Sequence, residues 1–169
     1  AARLKLVTTS TQAASQAQQA LFAMSQRNGV AMGDSAELFT RIARPMRELG
    51  QSQAQMLGVT EAVGQAIRIS GSNAQESSAA MHQFAQALGA GVLNGDELKS
   101  ILENAPRLAQ AVADGLGVPI GKLKELGEQG ALSSQKVLQA IQSQIPQLRR
   151  EAEQIPLTIG QSITQVQNA

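Results

Sequence analysis

Apolar residues recur along this chain at spacings of three and four, the period of one face of an α-helix. Leu38, Ile42, Met46 and Leu49 make one such stripe, and Met56, Val59, Val63 and Ile67 make the next. Ala80, Met81, Phe84, Ala87 and Leu88 follow, then the shorter sets Leu98, Ile101, Leu102 and Leu108, Ala111, Val112. Val137, Leu138, Ile141 and Ile145 form another face, and Ile159, Ile163 and Val166 a last one after Pro156. Ahead of them all, Ala13, Ala17, Ala20 and Met24, with Leu21 beside them, give a stripe of mostly small residues in a segment of Ala, Gln and Ser. Such a helix makes a poor core alone and is expected to lean on something.

The breaks between stripes carry helix-start chemistry. Asp34 to Glu37, Ser52 to Gln55, Asn73 to Glu76 and Asn94 to Glu97 have the form of capping boxes. In each, the first side chain can accept from the third following amide while the fourth residue reaches back. Leu93 with Leu98, and Leu132 with Val137 around the expected cap Ser133, have the spacing of hydrophobic staples. Gly29, Gly50 and Gly71 stand at expected helix ends, and Gly127 and Gly130 break the segment that starts at Pro119. Pro45 and Pro146 are expected to kink or end their helices. Arg149 to Glu153 reads as a solvated charged turn.

The expectation is an all-α fold, a compact bundle of about eight or nine short helices with a longer N-terminal helix, joined by short loops. Its organisation divides into an Ala/Gln-rich helix over 1–28, which suits the start of a rod or coiled coil, a multi-helix domain over 29–155, and a C-terminal helix or tail over 156–169. No fixed period of solenoid type repeats.

Composition narrows the chemistry. Of 169 residues, 27 are Ala and 23 are Gln, and three Phe are the only aromatics. Ala and Gln favour helix, but Ala buries little area, so modest stability or self-association through the Ala-rich helix is expected. A formal net charge of +1 argues against a strongly basic nucleic-acid binder. Without Cys there are no disulfides, thiolate metal sites or Cys nucleophiles. No apolar run reaches the length of a membrane-spanning helix, and Ala1 to Val7 lacks the form of a signal peptide.

Candidate chemical groups are sparse. His82 is the sole histidine and reads as a half-exposed helix residue. Asp96 and Glu97 read as first-turn acids favoured by the helix N-terminus, and Glu151 and Glu153 as part of a surface charge cluster. Gly89-Ala-Gly91 and Gly115-Leu-Gly117 follow no strand and read as helix ends and turns rather than phosphate loops. Ile67 to Leu88 could form a helix-turn-helix, but Ala74 to Leu88 has no Arg or Lys to reach DNA. No catalytic, cofactor-binding or metal residues are expected, and no cofactor.

One ordered run of motifs goes further. Gly91-Val-Leu-Asn-Gly-Asp-Glu-Leu98, Glu103-Asn-Ala-Pro106, Gly115-Leu-Gly-Val118, Lys122-Leu-Lys-Glu-Leu-Gly127 and Gly130-Ala-Leu-Ser133 resemble, in order and spacing, the helical domain of tape measure proteins of long-tailed phages and prophages. The likeness covers roughly Ala20 to Ala169, although relatives often carry a Ser or Thr cap where this chain has Pro119. It implies a structural and assembly protein, not an enzyme: a helical ruler that sets tail length by templating tail-tube polymerisation. It implies the tail-tube protein, tail assembly chaperones and tail tip or baseplate proteins as partners, and no specific nucleic-acid binding. The implied location is the virion tail lumen, and the host cytoplasm during assembly. Many glycine breaks in 169 residues suggest a fragment, a compact domain attached to the rod. The alternative is a bacterial helical protein-interaction module, such as a secreted coiled-coil effector or adaptor.

Overall fold

The computed structural model describes residues 2–156 and 166–168. These are all-α. Ten helices run in order: α1 (Ala2–Val7), α2 (Thr11–Asn28), α3 (Met32–Glu48), α4 (Gln53–Ile69), α5 (Ala74–Ala90), α6 (Gly95–Asn104), α7 (Pro106–Leu116), α8 (Ile120–Glu128), α9 (Ser134–Ser143) and α10 (Ile145–Glu153). Residues 166–168 form a further helical turn. The apolar piece expected after Pro156 lies largely outside the described residues, as do Ile159 and Ile163, and Val166 is exposed.

Two helices exceed the expected set. The opening segment splits because Thr8 and Ser10 turn their hydroxyls onto the backbone. The Thr8 hydroxyl donates to the Leu4 carbonyl at 2.7 Å, and Ser10 accepts from the Ala13 amide at 3.0 Å as the cap of α2. The other extra helix is α10. Pro146 does end α9, but by opening a new helix, since its missing N–H is harmless in a first turn. Arg149 to Glu153 is therefore helical rather than a turn. Pro45, by contrast, does not stop α3, which runs on to Glu48.

Local caps decide the remaining boundaries. Ser52 and Asn73 form complete capping boxes with Gln55 and Glu76. Two other expected boxes do not form. Asn94 caps α6 without a side-chain bond, while its staple leucines Leu93 and Leu98 are both buried. Helix α3 starts at Met32, two residues before Asp34, so Asp34 and Glu37 lie inside its first turns. The side chain of Asn168 serves that end instead: its Oδ1 accepts from the Met32 amide at 3.2 Å and its Nδ2 donates to the Val30 carbonyl at 3.0 Å.

The core is centred on α4. Six consecutive residues, Ala62 to Ile67, are buried, because α4 is contacted by α2, α3, α5, α7, α9 and α10. Phe39 of α3 and Phe84 of α5 are fully buried and supply its aromatic bulk. Helix α2 packs on α3 and α4 through Ala14, Ala17, Leu21 and Met24. The buried stripe is thus turned slightly from the one expected, with Ala13 and Ala20 at its half-buried edges.

Three glycines permit close packing inside this bundle. A Cβ on Gly115 would lie 2.5 Å from the Cα and carbonyl carbon of Ala140, so α7 crosses α9 at backbone contact. Gly127 stays inside α8, where a Cβ would meet the Leu98 side chain at 2.9 Å. Gly89 presses likewise on Arg41, where α5 meets α3. The loops before α6 and before α9 are joined by an isolated antiparallel bridge, with Leu93 N–H donating to Leu132 at 2.8 Å and Ser134 N–H to Gly91 at 2.9 Å.

Candidate functional site

The residues singled out by chemistry do not converge. The His82 ring on α5 meets Glu37 on α3, with Nδ1 3.0 Å from Oε1, and about half of the ring stays exposed. Asp34, one turn before Glu37, has its carboxyl pushed above the usual range chiefly by burial; Ser78 and His82 oppose that rise and Glu37 adds to it. This is a polar seam between two helices; Asp34 and Ser78 also line a cavity of about 270 Å³, whose lining does not include His82 or Glu37. Asp96 and Glu97 occupy the first turn of α6, and the structure does not bring them to His82.

Glu151 and Glu153 separate in role. Glu151 accepts from Arg107 through both oxygens, at 2.8 Å each, and from Gln147 at 2.8 Å. The Arg107 bonds hold its carboxyl down at about 2. Arg107 in turn donates its amide to the Ser70 hydroxyl at 3.0 Å. The pair ties α10 to the start of α7 and is a fold contact rather than the solvated charge expected. Glu153 is exposed.

The glycine motifs also resolve into packing. Gly91 and Gly117 end α5 and α7 with φ of 105° and 72°. Gly89 and Gly115 are the close-approach positions already described, a role that the reading as helix ends missed. Helix α5, the would-be recognition helix, contains no Arg or Lys. Among the described residues no group of three His, Asp or Glu could hold a metal ion. Among the described residues no helix is long and apolar enough to cross a membrane.

The surface also carries a cleft where α2, α4 and α10 meet, about 360 Å³ in volume. Arg27, Arg68 and Arg149 line it together with Glu61 and Glu153. Arg27 pairs with Glu61, and Arg68 donates to the Arg27 carbonyl at 3.2 Å. Burial lowers the Arg68 pKa from its usual value, yet an arginine keeps its charge at neutral pH. The sequence marks Arg149 and Glu153 as part of a charged run but not their meeting with Arg27, Glu61 and Arg68, which come from helices distant along the chain. A neighbouring shallow groove runs over Ala20, Ala23, Leu57 and Gly58. Phe22, Leu6 and Ile120 are the large apolar side chains exposed among residues 2–156.

The motifs noted above therefore act by shaping helices. Gly91 and Gly117 supply the positive φ of helix ends, and Gly130 that of a turn. The Asn104-Ala-Pro106 turn is pinned by a hydrogen bond from Ser72 to the Asn104 carbonyl. Gly115 and Gly127 let helices touch, and Ser133 caps α9. A sequence defined by such positions can be compared as a whole. No curated protein and no solved structure matches it. The family model described as tape measure protein matches residues 1–169, the entire length, and so includes the N-terminal helices that local motifs left uninformative. A chain matched from end to end in this way belongs to the tape measure protein family of phage tail components.

Proposed function

We propose that this chain acts in phage tail assembly as a folded domain of the ruler that sets tail length by templating tail-tube polymerisation. The observation that carries this reading is the family match over the whole chain. In this reading the tail-tube protein, the assembly chaperones and the tip or baseplate proteins are its partners. It works in the host cytoplasm during assembly and in the tail lumen afterwards. Its role is structural, through packing and surface contacts rather than bond-making.

The fold changes how its contribution to length is reckoned. Drawn out as one helix, the residues from α1 to α10 would span about 230 Å at 1.5 Å per residue. Folded, a domain of this size has a radius of gyration of about 15 Å, hence a diameter of about 40 Å. Tail lengths by electron microscopy, from particles whose tape measure gene lacks the codons for residues 2–156, test the role. Intact tails shortened by about 40 Å support a folded ruler element, and tails shortened by about 230 Å an extended one. Tails of unchanged length would remove the length-setting role of this segment. The effector or adaptor alternative has no structural observation of its own to favour it.

A further inference from the structure

We propose that Asn94 is a self-modification site, where the chain's own backbone converts the side-chain amide to an acid with loss of ammonia. The sequence holds two Asn-Gly pairs, Asn28-Gly29 and Asn94-Gly95. Asparagine is among the chemically labile side chains. A following glycine, with no Cβ, lets the next backbone nitrogen approach that side chain closely.

The fold treats the two pairs in opposite ways. Asn28 is buried at the end of α2, and its Nδ2 donates to the Met24 carbonyl at 3.0 Å. The Gly29 N–H is engaged as well, by the Ser25 carbonyl. Asn94 is exposed and lies in extended backbone. Gly95 is the first residue of α6, so its N–H has no intrahelical acceptor, and it meets none elsewhere among the described residues. The chain has five asparagines. The side chains of Asn28, Asn73, Asn104 and Asn168 each make a hydrogen bond, whereas that of Asn94 makes none among the described residues.

The reaction needs only water. The Gly95 nitrogen loses its proton to solvent and attacks Cγ of Asn94. The new C–N bond closes a five-membered imide, the Cγ–Nδ2 bond breaks, and Nδ2 leaves as ammonia with a proton taken from solvent. Water then adds to one of the two ring carbonyls and breaks its bond to the Gly95 nitrogen. Addition at Cγ leaves an ordinary aspartate. Addition at the main-chain carbonyl leaves an isoaspartate, whose backbone runs through the side chain and is one methylene longer.

The two products act differently on α6. An aspartate is as good a cap as an asparagine and suits the helix N-terminus. An isoaspartate lengthens the chain between Leu93 and Leu98, the buried pair that staples this end of the helix. Leu93 also donates to Leu132 in the bridge to the loop before α9, so the added methylene disturbs both contacts at once.

The test incubates the full folded chain at mildly alkaline pH and physiological temperature. Samples are read by peptide mapping with fragmentation in a mass spectrometer. The Asn94 peptide is expected to gain the mass of an amide-to-acid change, in two chromatographic forms. It should do so about tenfold or more faster than the Asn28 peptide, which reacts only after local opening. In guanidinium chloride the two pairs should react at similar rates. Gly95→Ala places a Cβ in ordinary contact with the Glu128 side chain at 3.6 Å, and should fold and slow the Asn94 reaction several-fold. The separated isoaspartate form should melt about 2–4 °C or more below Asn94→Asp, the shift of one lost cap in a domain of this size. A folded chain in which Asn94 stays as intact as Asn28 overturns the proposal, as does a Gly95→Ala protein that reacts as fast as the wild type. An isoaspartate form that melts with Asn94→Asp overturns the effect on α6.

Discussion

Replacing Gly115 by alanine pits two effects of opposite sign against each other. In an exposed helix interior, Gly→Ala is worth about 1 kcal/mol in favour of folding, because alanine loses less backbone freedom. At Gly115 the added Cβ would sit 2.5 Å from two backbone carbons of Ala140. Ordinary carbon contacts lie at about 3.5–4.0 Å, so α7 and α9 must part by about 1 Å. No side chain can swing away, because the obstacle is main chain. Overpacking of this kind costs about 1–3 kcal/mol or more, and here Leu108, Ala111 and Val112 of α7 and Val137, Leu138 and Ile141 of α9 are all buried and would shift together. Gly58→Ala is the matched control. Its Cβ would meet the Ile145 side chain at 3.7 Å, an ordinary contact, in the middle of α4. Urea denaturation followed by circular dichroism should show Gly58→Ala more stable than wild type by about 0.5–1 kcal/mol. Gly115→Ala should be less stable by about 1–3 kcal/mol, or about 2–12 °C in Tm for a domain of this size. Equal stabilisation by both changes would refute the claim that glycine is present for helix crossing.

Three further outcomes are expected. Leu21→Ala, at a position with 0% exposure on α2, should lose about 2–5 kcal/mol in the same denaturation assay; a helix that served only as a free rod would lose almost nothing. Glu151→Gln should cost about 1 kcal/mol at neutral pH, a solvent-screened value for a pair at the surface. The folded carboxyl sits at about 2 and the unfolded one near 4.5, so the contribution is full above the unfolded value and fades as pH falls between them. The gap between variant and wild type should therefore close on acidification, and a gap that widens would contradict the assignment. Asn168→Ala should cost about 1 kcal/mol and speed hydrogen exchange of the Met32 amide, and an unchanged exchange rate would show that the Asn168 contact is not a cap.

The sequence reveals what is local in this fold. The stripes from Leu38 to Ile145 become core because a helix carries its own period, and Ser10, Ser52, Asn73 and Ser133 act within four residues of themselves. What it hides is what depends on partners far along the chain. Asp34 has every local mark of a cap, yet Asn168, 136 residues from Met32, provides the bond. Glu151 looks like surface charge until Arg107, 44 residues away, is placed beside it. Gly115 reads as a turn residue because its neighbour Gly117 is one, while its own constraint is set by Ala140. The Arg68 cleft shares this origin, since three separate helices must be assembled before it exists. Family resemblance located the central motifs but could not say why glycine stands at those positions; the reasons are spatial.

The bridge between the α5–α6 and α8–α9 loops bears on the order in which the molecule assembles. Ser134 also donates its hydroxyl to the Leu88 carbonyl, 46 residues away, at 2.7 Å. Closing a loop of that length costs about 3 kcal/mol in chain entropy before any constant term, more than two or three hydrogen bonds return. The stitch therefore cannot nucleate folding; it closes only after α6, α7 and α8 have brought its ends together. Amide protection at Leu93 and Ser134 in a refolding pulse-labelling experiment would consequently arrive last, making those two sites a clock for completion of the bundle.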